Sequence, residues 1–403
     1  MIITIFDKDF VKIGILHKWT YLQYNDKIRD IGEFTLHVQL TDETFFLFDK
    51  SKKYYLLFGT KVMGCIQKVE KQADSDYEQT IVVIGKLMSY ILERRVVYKT
   101  QIYEGNTAEV INDVIYQNIT VQQEGMRRVL RYLNMNLLFD ENIVESELSS
   151  VSFQQTGGYV WDCIKDLFVV DYLGYDLYPN VSELTWGQYG KYTNVYDFDF
   201  VVLKGKDRTA NNKKGNKPVV FSHSLSNLYR GSYEYDRSEH RNVVYIAGEG
   251  EGSNRVWYSF DESGDIAHDK AENYEDFPGL YGWDREELFV DARDLQKETS
   301  EKAYTDTEYK NLLKRRAMEN MAEHIIFESY DGTVMLDSGK LQYGKDFYKG
   351  DWVTIRDNEL GMEIDAQITE ISKTIQESKE IIDITFGYKK ITTRQALRKK
   401  GVI

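Results

Sequence analysis

Cys163 with His223 or His240 would supply the thiol and imidazole of a cysteine nucleophile. The acid pairs Glu286–Glu287, Glu249 with Glu251, and Asp261–Glu262 would supply the two carboxylates of glycoside hydrolysis. Neither chemistry is specified by its surroundings. No local nucleophile signature encloses Cys163, and Trp161-Asp-Cys-Ile-Lys-Asp-Leu167 reads as a helix with the thiol on its buried side. The acids read as solvated surface, and the histidines form neither a His-x-x-x-His nor a His-Glu-x-x-His arrangement. Asp261-Glu-Ser-Gly-Asp265 has the acids of a calcium turn but carries its Gly at the fourth place instead of the sixth. The expectation is a protein without catalytic residues, metal or cofactor.

Gly248-Glu-Gly-Glu-Gly252 is no phosphate cradle, because its carboxylates repel phosphate and no Lys-Ser/Thr follows. Its glycines suit a bulge or strand exit where backbones approach closely. A buried-type strand, Val243-Val-Tyr-Ile246, leads into it, Arg255 follows, and a second short strand closes on Asp291, Arg293 and Asp294. Asp291 and Arg293 flank Ala292 on one side of that strand, which predicts a structural ion pair fixing the body of the protein against a second barrel.

The elements that must position these residues are mostly strands. Period-two alternation at Phe34, Leu36 and Val38, at Ile66 and Val69, and at Ile81 and Val83 predicts a compact antiparallel sheet or small barrel over residues 1–97. Turn signals at Asn25-Asp26, Gly32, Gly59, Gly64 and Asp74-Ser-Asp76 divide it. The period then changes. Asn106 or Thr107 caps a helix bearing Val110, Ile111, Val114 and Ile115, and a second helix runs from Tyr159 through Leu167. Thr305-Asp-Thr-Glu308 is a capping box for an amphipathic helix with Leu312, Leu313, Ala317, Met321 and Ile325 on its apolar side. The basic, Gly-containing run Lys204–Lys217 reads as a solvated loop.

A repeat emerges when the chain is shifted by 302 positions without a gap. Ile66 then falls on Ile368, Val69 on Ile371, Lys71 on Lys373, Glu78 on Glu380 and Gly85 on Gly387.

Composition narrows the function further. With 30 Tyr and only 3 Pro the chain favours sheet, and a formal charge of -14 argues against a protein that clamps nucleic acid. Cys65 and Cys163 are too few and too distant for a disulfide framework. Met1-Ile-Ile-Thr-Ile-Phe6 lacks the basic flank of a signal peptide, and no apolar run has the length of a spanning helix.

The combination of motifs resembles the tail-tip hub family of siphophages and prophages of Gram-positive bacteria. The resemblance rests on Asn242-Val-Val-Tyr-Ile-Ala-Gly-Glu-Gly-Glu-Gly252 and Gly282-Trp-Asp-Arg-Glu-Glu-Leu-Phe-Val-Asp-Ala-Arg-Asp294. Val201-Val-Leu-Lys-Gly-Lys-Asp-Arg-Thr209, Pro218-Val-Val-Phe-Ser222 with Asn227-Leu228, and Gly350-Asp-Trp-Val-Thr-Ile-Arg-Asp357 extend it. Gly248, Gly250, Gly252, Arg255, Asp291, Arg293 and Asp294 are the motif residues it marks as structural.

The resemblance implies an α+β, β-rich fold: two tube-like antiparallel β-barrels with an α+β body, phage baseplate-hub-like. The first barrel is expected over 1–97, and the second over 218–247 with 328–390. The body takes 98–217 and 248–327, and 391–403 forms a basic tail. The implied function is mechanical. A homotrimer presents a pseudo-sixfold ring, closes the tail tube at the distal end of the virion tail, and leaves a path for DNA without binding it specifically. Its implied partners are a distal tail protein, the tail tube or tape-measure protein, and a fibre or spike. With the chain ending at Ile403 soon after the second barrel, cell-wall cutting and receptor binding are expected of another chain. The alternatives are a tail-associated cell-wall hydrolase or peptidase, and a receptor- or glycan-binding tail module.

Overall fold

Alternating apolar residues in the first segment become strands in the computed structural model. It describes residues 1–41, 44–49, 52–73, 79–120, 134–185, 191–267, 280–298, 303–321, 324, 326–334, 341–376 and 379–387. The expected turn at 74–76, Glu78, Ile325 and the basic tail lie outside these residues. The first segment holds β1 (Ile3–Phe6), β2 (Lys12–Leu16), β3 (Trp19–Lys27), β4 (Glu33–Gln39), β5 (Tyr55–Phe58), β6 (Val62–Ala73) and β7 (Gln79–Leu87).

Next come β8 (Thr100–Asn106), α1 (Thr107–Ile115), β9 (Asn134–Phe139), β10 (Ser150–Thr156), α2 (Val160–Ile164), α3 (Leu167–Val170), β11 (Gly174–Thr185) and β12 (Lys191–Leu203). Then follow β13 (Val220–Ser222), β14 (Leu228–Asp236), β15 (Val243–Ala247), β16 (Trp257–Asp261), β17 (Glu287–Asp291) and α4 (Asp306–Met321). The chain closes with β18 (Phe327–Val334), β19 (Trp352–Asp357), β20 (Met362–Gln376) and β21 (Lys379–Gly387).

Among the described residues one 13-stranded sheet unites the two ends of the chain along the path β14-β18-β21-β20-β3-β4-β7-β6-β5-β1-β2, with β19 on β20 and β13 on β19. The path contains the same strand order twice. The first copy is β3-β4-β7-β6-β5-β1 and the second is β14-β18-β21-β20-β19-β13. Each copy curls around its own apolar core. Ile3, Leu22, Leu36, Val38, Ile81 and Val83 fill the first, and Phe221, Val353, Ile368, Ile371, Ile384 and Phe386 fill the second. The ladder is open, with β2 and β14 at the ends of the path, and the two copies join at β3–β20.

The gap-free overlay holds for the first strand of the repeated hairpin. A β-bulge lies between Ile66 and Lys68 in one copy and between Ile368 and Glu370 in the other. On the second strand the overlay slips by one. Ile66 faces Gly85, whereas Ile368 faces Phe386, so Gly85 corresponds to Phe386 and not to Gly387. Burial parity requires this, because a one-residue slip would turn an entire apolar row outward. The inward residues Ile81 and Val83 accordingly match Ile382 and Ile384, each at most 2% exposed. The copies also differ where β1 runs antiparallel to β5 but β13 runs parallel to β19.

Insertions make the rest. Between the copies, β11-β12-β9 and the pair β8–β10 enclose α1–α3. Asn106 and Glu109 form the capping box that starts α1, whose Val110, Ile111, Val114 and Ile115 are fully buried. The expected single helix from Tyr159 is two short ones, α2 and α3. The second insertion replaces the tight 28–32 turn of the first copy and holds the sheet β16-β15-β17 backed by α4. Val243–Ala247, read with the second barrel from sequence, thus pairs with β16 and β17 instead. Thr305 and Glu308 exchange the predicted capping bonds at the start of α4.

Two further readings are corrected. Asn25-Asp26 and Gly64 are not turns but lie inside β3 and β6, where neighbouring strands hold them extended. Gly64 and Gly85 leave room for the Phe34 ring, since a Cβ on either would fall 2.4 Å from it.

Candidate functional site

Motifs far apart in sequence meet where the body docks on the second copy of the repeat. Gly350-Asp351 opens β19, and Gly205-Lys-Asp-Arg208 follows β12. The Asp351 carboxylate accepts from the Lys206 amide (2.8 Å), the Tyr348 amide (3.0 Å) and Arg208 Nε (2.8 Å). Its side chain is 3% exposed. Burial pushes its carboxyl up, and these hydrogen bonds counter the push. Gln367, 1% exposed, accepts from Arg29 at 2.5 Å and donates to the carbonyls of Gly350 (2.9 Å) and Tyr172 (3.1 Å). The first copy, the body and the second copy are thereby stitched together.

Beside this latch Lys349 is buried between two carboxylates, Asp26 of β3 at 2.5 Å and Asp176 of β11 at 2.8 Å. Burial opposes the charge of Lys349, but Asp176 and Asp26 outweigh it and hold the ammonium above its ordinary range. The Asp26 side chain is 20% exposed, yet burial raises its carboxyl to about 6, against the pull of Lys349 and with the push of Asp176. A cavity of about 340 Å³ opens here, lined by Asp26, Lys61, Tyr175, Asp176, Tyr343 and Lys349. Burial lifts the phenols of Tyr175 and Tyr343 far above the ordinary range, so both present neutral hydroxyls. The arrangement is a three-way electrostatic joint. Sequence reasoning missed it, because an isolated Lys and two isolated Asp carry no spacing signal.

The basic run Lys204–Lys217 is a loop with an exposed tip at Lys213–Gly215, as expected, and its flanks are anchored. Lys204 pairs with Glu147, Lys206 with Glu141 and Lys217 with Asp346, while Asn212 and Asn216 bond across its turn. Asn227 works similarly, bridging the Ser222 amide and the Val220 carbonyl.

The glycine-rich motif lies in the second insertion. A Cβ on Gly248 would fall 2.5 Å from the Tyr309 hydroxyl, and one on Gly250 would fall 2.6 Å from the Asn254 carbonyl oxygen. Gly250 and Gly252 have φ of +102° and +54°. Arg255 donates to the carbonyls of Gly248 (3.0 Å) and Ala247 (2.8 Å) and pairs with Asp291. Arg293 is 68% exposed and also bonds Asp291, two residues away. That pair therefore joins the last residue of β17 to the turn after it and does not clamp the body to the second copy of the repeat. Asp294 instead meets Arg316 of α4 at 3.0 Å.

Cys163 lies 1% exposed in the core around α1–α3. His240 is held by Glu286 at 2.6 Å and Glu262 at 3.0 Å. Asp261 caps its own turn through the amides of Ser263 and Asp265. Among the described residues no group of three or more His, Cys, Asp or Glu could hold a metal, and no helix is long and apolar enough to cross a membrane.

A doubled, curled sheet with large α+β insertions is a fold this chain shares with a solved tail protein. The tail protein from Neisseria meningitidis MC58 is 11% identical with a TM-score of 0.50, covering 98% of each chain. The 43 kDa tail protein of prophage MuSo2 from Shewanella oneidensis is 10% identical (TM-score 0.47, covering 96% of this chain and 98% of that one). Prophage tail protein gp18 from Listeria monocytogenes EGD-e is 12% identical (TM-score 0.46, covering 100% and 98%). The chain belongs to the Siphovirus ReqiPepy6 Gp37-like protein family, whose model matches residues 2–388. No curated protein sequence matches it.

Proposed function

We propose that this tail protein is the hub at the distal end of the tail, a structural subunit that works as a homotrimer. The observation that carries the reading is the strand order present twice in one chain. A threefold assembly meets a sixfold tube only if each subunit carries the tube-like edge twice, because a ring contact closes when the rotation divides a full turn. In this reading each curled sheet acts as a tube-like barrel module within the ring, and the two insertions form the body around it. The hub docks a distal tail protein and the tail tube or tape-measure protein on one side and a fibre or spike on the other. No catalysis is needed, and DNA passes without specific binding, consistent with a formal charge of -14.

The test is the mass of the full chain in solution together with a low-resolution image. A trimer seen as a three-lobed ring is expected. A monomer at every concentration, or cleavage of peptidoglycan by the purified chain, would overturn the reading.

A further inference from the structure

The internal joint between the copies is a template for a contact that one chain cannot make with itself. The first half of β20 pairs with β19, and its second half, Glu370–Gln376, pairs antiparallel with β3. In the first copy β6 corresponds to β20. Val62–Cys65 pairs with β5, but on that side Lys68–Ala73 has no strand beside it among the described residues. In the second copy β14 corresponds to β3, and among the described residues it ends the sheet, laddered to β18 alone. An open edge of this kind is a ready template for another strand.

From this, and resting on the trimeric reading, we infer that β6 of one chain pairs with β14 of the neighbouring chain, in the register of the internal β20–β3 seam.

The register follows from equivalent positions. Tyr24 faces Phe34, which faces Gly85; Tyr233 faces Tyr330, which faces Phe386, the counterpart of Gly85. Tyr233 therefore stands for Tyr24, as Lys71 stands for Lys373. In the internal seam Lys373 lies opposite Tyr24. The inferred seam places Lys71 opposite Tyr233, the same two residue types. Internally Glu370 lies opposite Lys27; the inferred seam sets Lys68 opposite Asp236, an opposite-charge pair with its polarity reversed. Opposite-charge cross-strand pairs stabilise a ladder.

Burial agrees with a missing neighbour. At equivalent positions Tyr24 and Ile371 are buried in the internal seam whereas Tyr233 and Val69 are half-buried, and Glu370, Lys373 and Thr374 are half-buried whereas Lys68, Lys71 and Gln72 are exposed. Three internal and three intermolecular seams then close a ring of six copies of the repeat.

The test is a disulfide placed in register. Gln72 and Ser232 come opposite each other, as Thr374 and Gln23 do internally, and an antiparallel pair brings Cα atoms to about 4.5–5.5 Å, within disulfide reach. The full chain carrying Gln72→Cys and Ser232→Cys, whose native cysteines are buried, should give a covalent trimer on mild oxidation. Lys68→Cys with Ser232→Cys, about 13 Å out of register, should not. A trimer by mass that crosslinks in neither variant overturns the seam and leaves the hub reading standing. Crosslinking of the out-of-register pair alone overturns the register, and a chain that stays monomeric before oxidation overturns both readings.

Discussion

Gly205 lies against Gly350 so closely that a Cβ on it would fall 2.0 Å from the Gly350 carbonyl oxygen and 2.8 Å from the Asp351 amide nitrogen. Backbone meets backbone where the body docks, and neither can yield. Gly205 also has φ +72°, so Gly205→Ala should lower stability by about 3 kcal/mol or more. Gly215 has φ +73° with open space around it, and Gly215→Ala should cost only about 1 kcal/mol. Urea midpoints at unchanged m separate the two.

Arg208→Ala removes the guanidinium from a carboxylate that is 3% exposed and should cost about 3–5 kcal/mol at neutral pH. Arg356→Ala breaks a pair exposed on both sides and should cost under about 1 kcal/mol. Burial already raises the Asp351 carboxyl, so its protonation in acid relieves the stranded charge. The Arg208→Ala deficit should therefore shrink as the pH falls, and a deficit that grows in acid would contradict this account.

Asp26 titrates at about 6 when folded, above its unfolded value. The folded state binds more protons between those two values, so this group's contribution to stability increases as the pH falls through about 6 and decreases as it rises. Asp26→Asn should flatten that component, visible as a wild-type-minus-variant difference in unfolding free energy over this window. Lys349→Met leaves the partly exposed Asp26 and Asp176 carboxylates facing each other without a counter-charge and should cost about 1–3 kcal/mol at neutral pH, with partial recovery in acid.

Arg255 and Arg293 share Asp291 but differ in surroundings. Arg255 is 16% exposed and satisfies two backbone carbonyls at the end of β15, so Arg255→Ala should lower the melting temperature, equivalent to about 1–3 kcal/mol. Arg293 is largely in solvent, and Arg293→Ala should leave melting temperature and assembly unchanged. Equal losses from both would show that Arg293 has a partner in the assembly.

The chain's local rules are legible in its letters. Asn106 ahead of an apolar helical face, and Thr305 with Glu308, announce α1 and α4 because a helix cap spans only a few residues. The alternation at Phe34–Val38 marks β4 for the same reason, and the repeat shows in Ile66 and Ile368, which sit beside matching bulges. The mechanical reading came from a family resemblance, carried by motifs in which Gly248, Gly250 and Arg255 stand against backbone or a neighbouring side chain.

Tertiary structure decided the rest. Asn25-Asp26 has the composition of a turn, yet ladders with β4 and β20 on either side hold it in a strand. The hairpin overlay slipped by one because inward-facing parity, and not residue identity, sets register. Lys349, Asp26 and Asp176 are scattered in sequence, and each alone reads as a solvated charge. Only folding removes them from water together, and that desolvation makes their pairing matter.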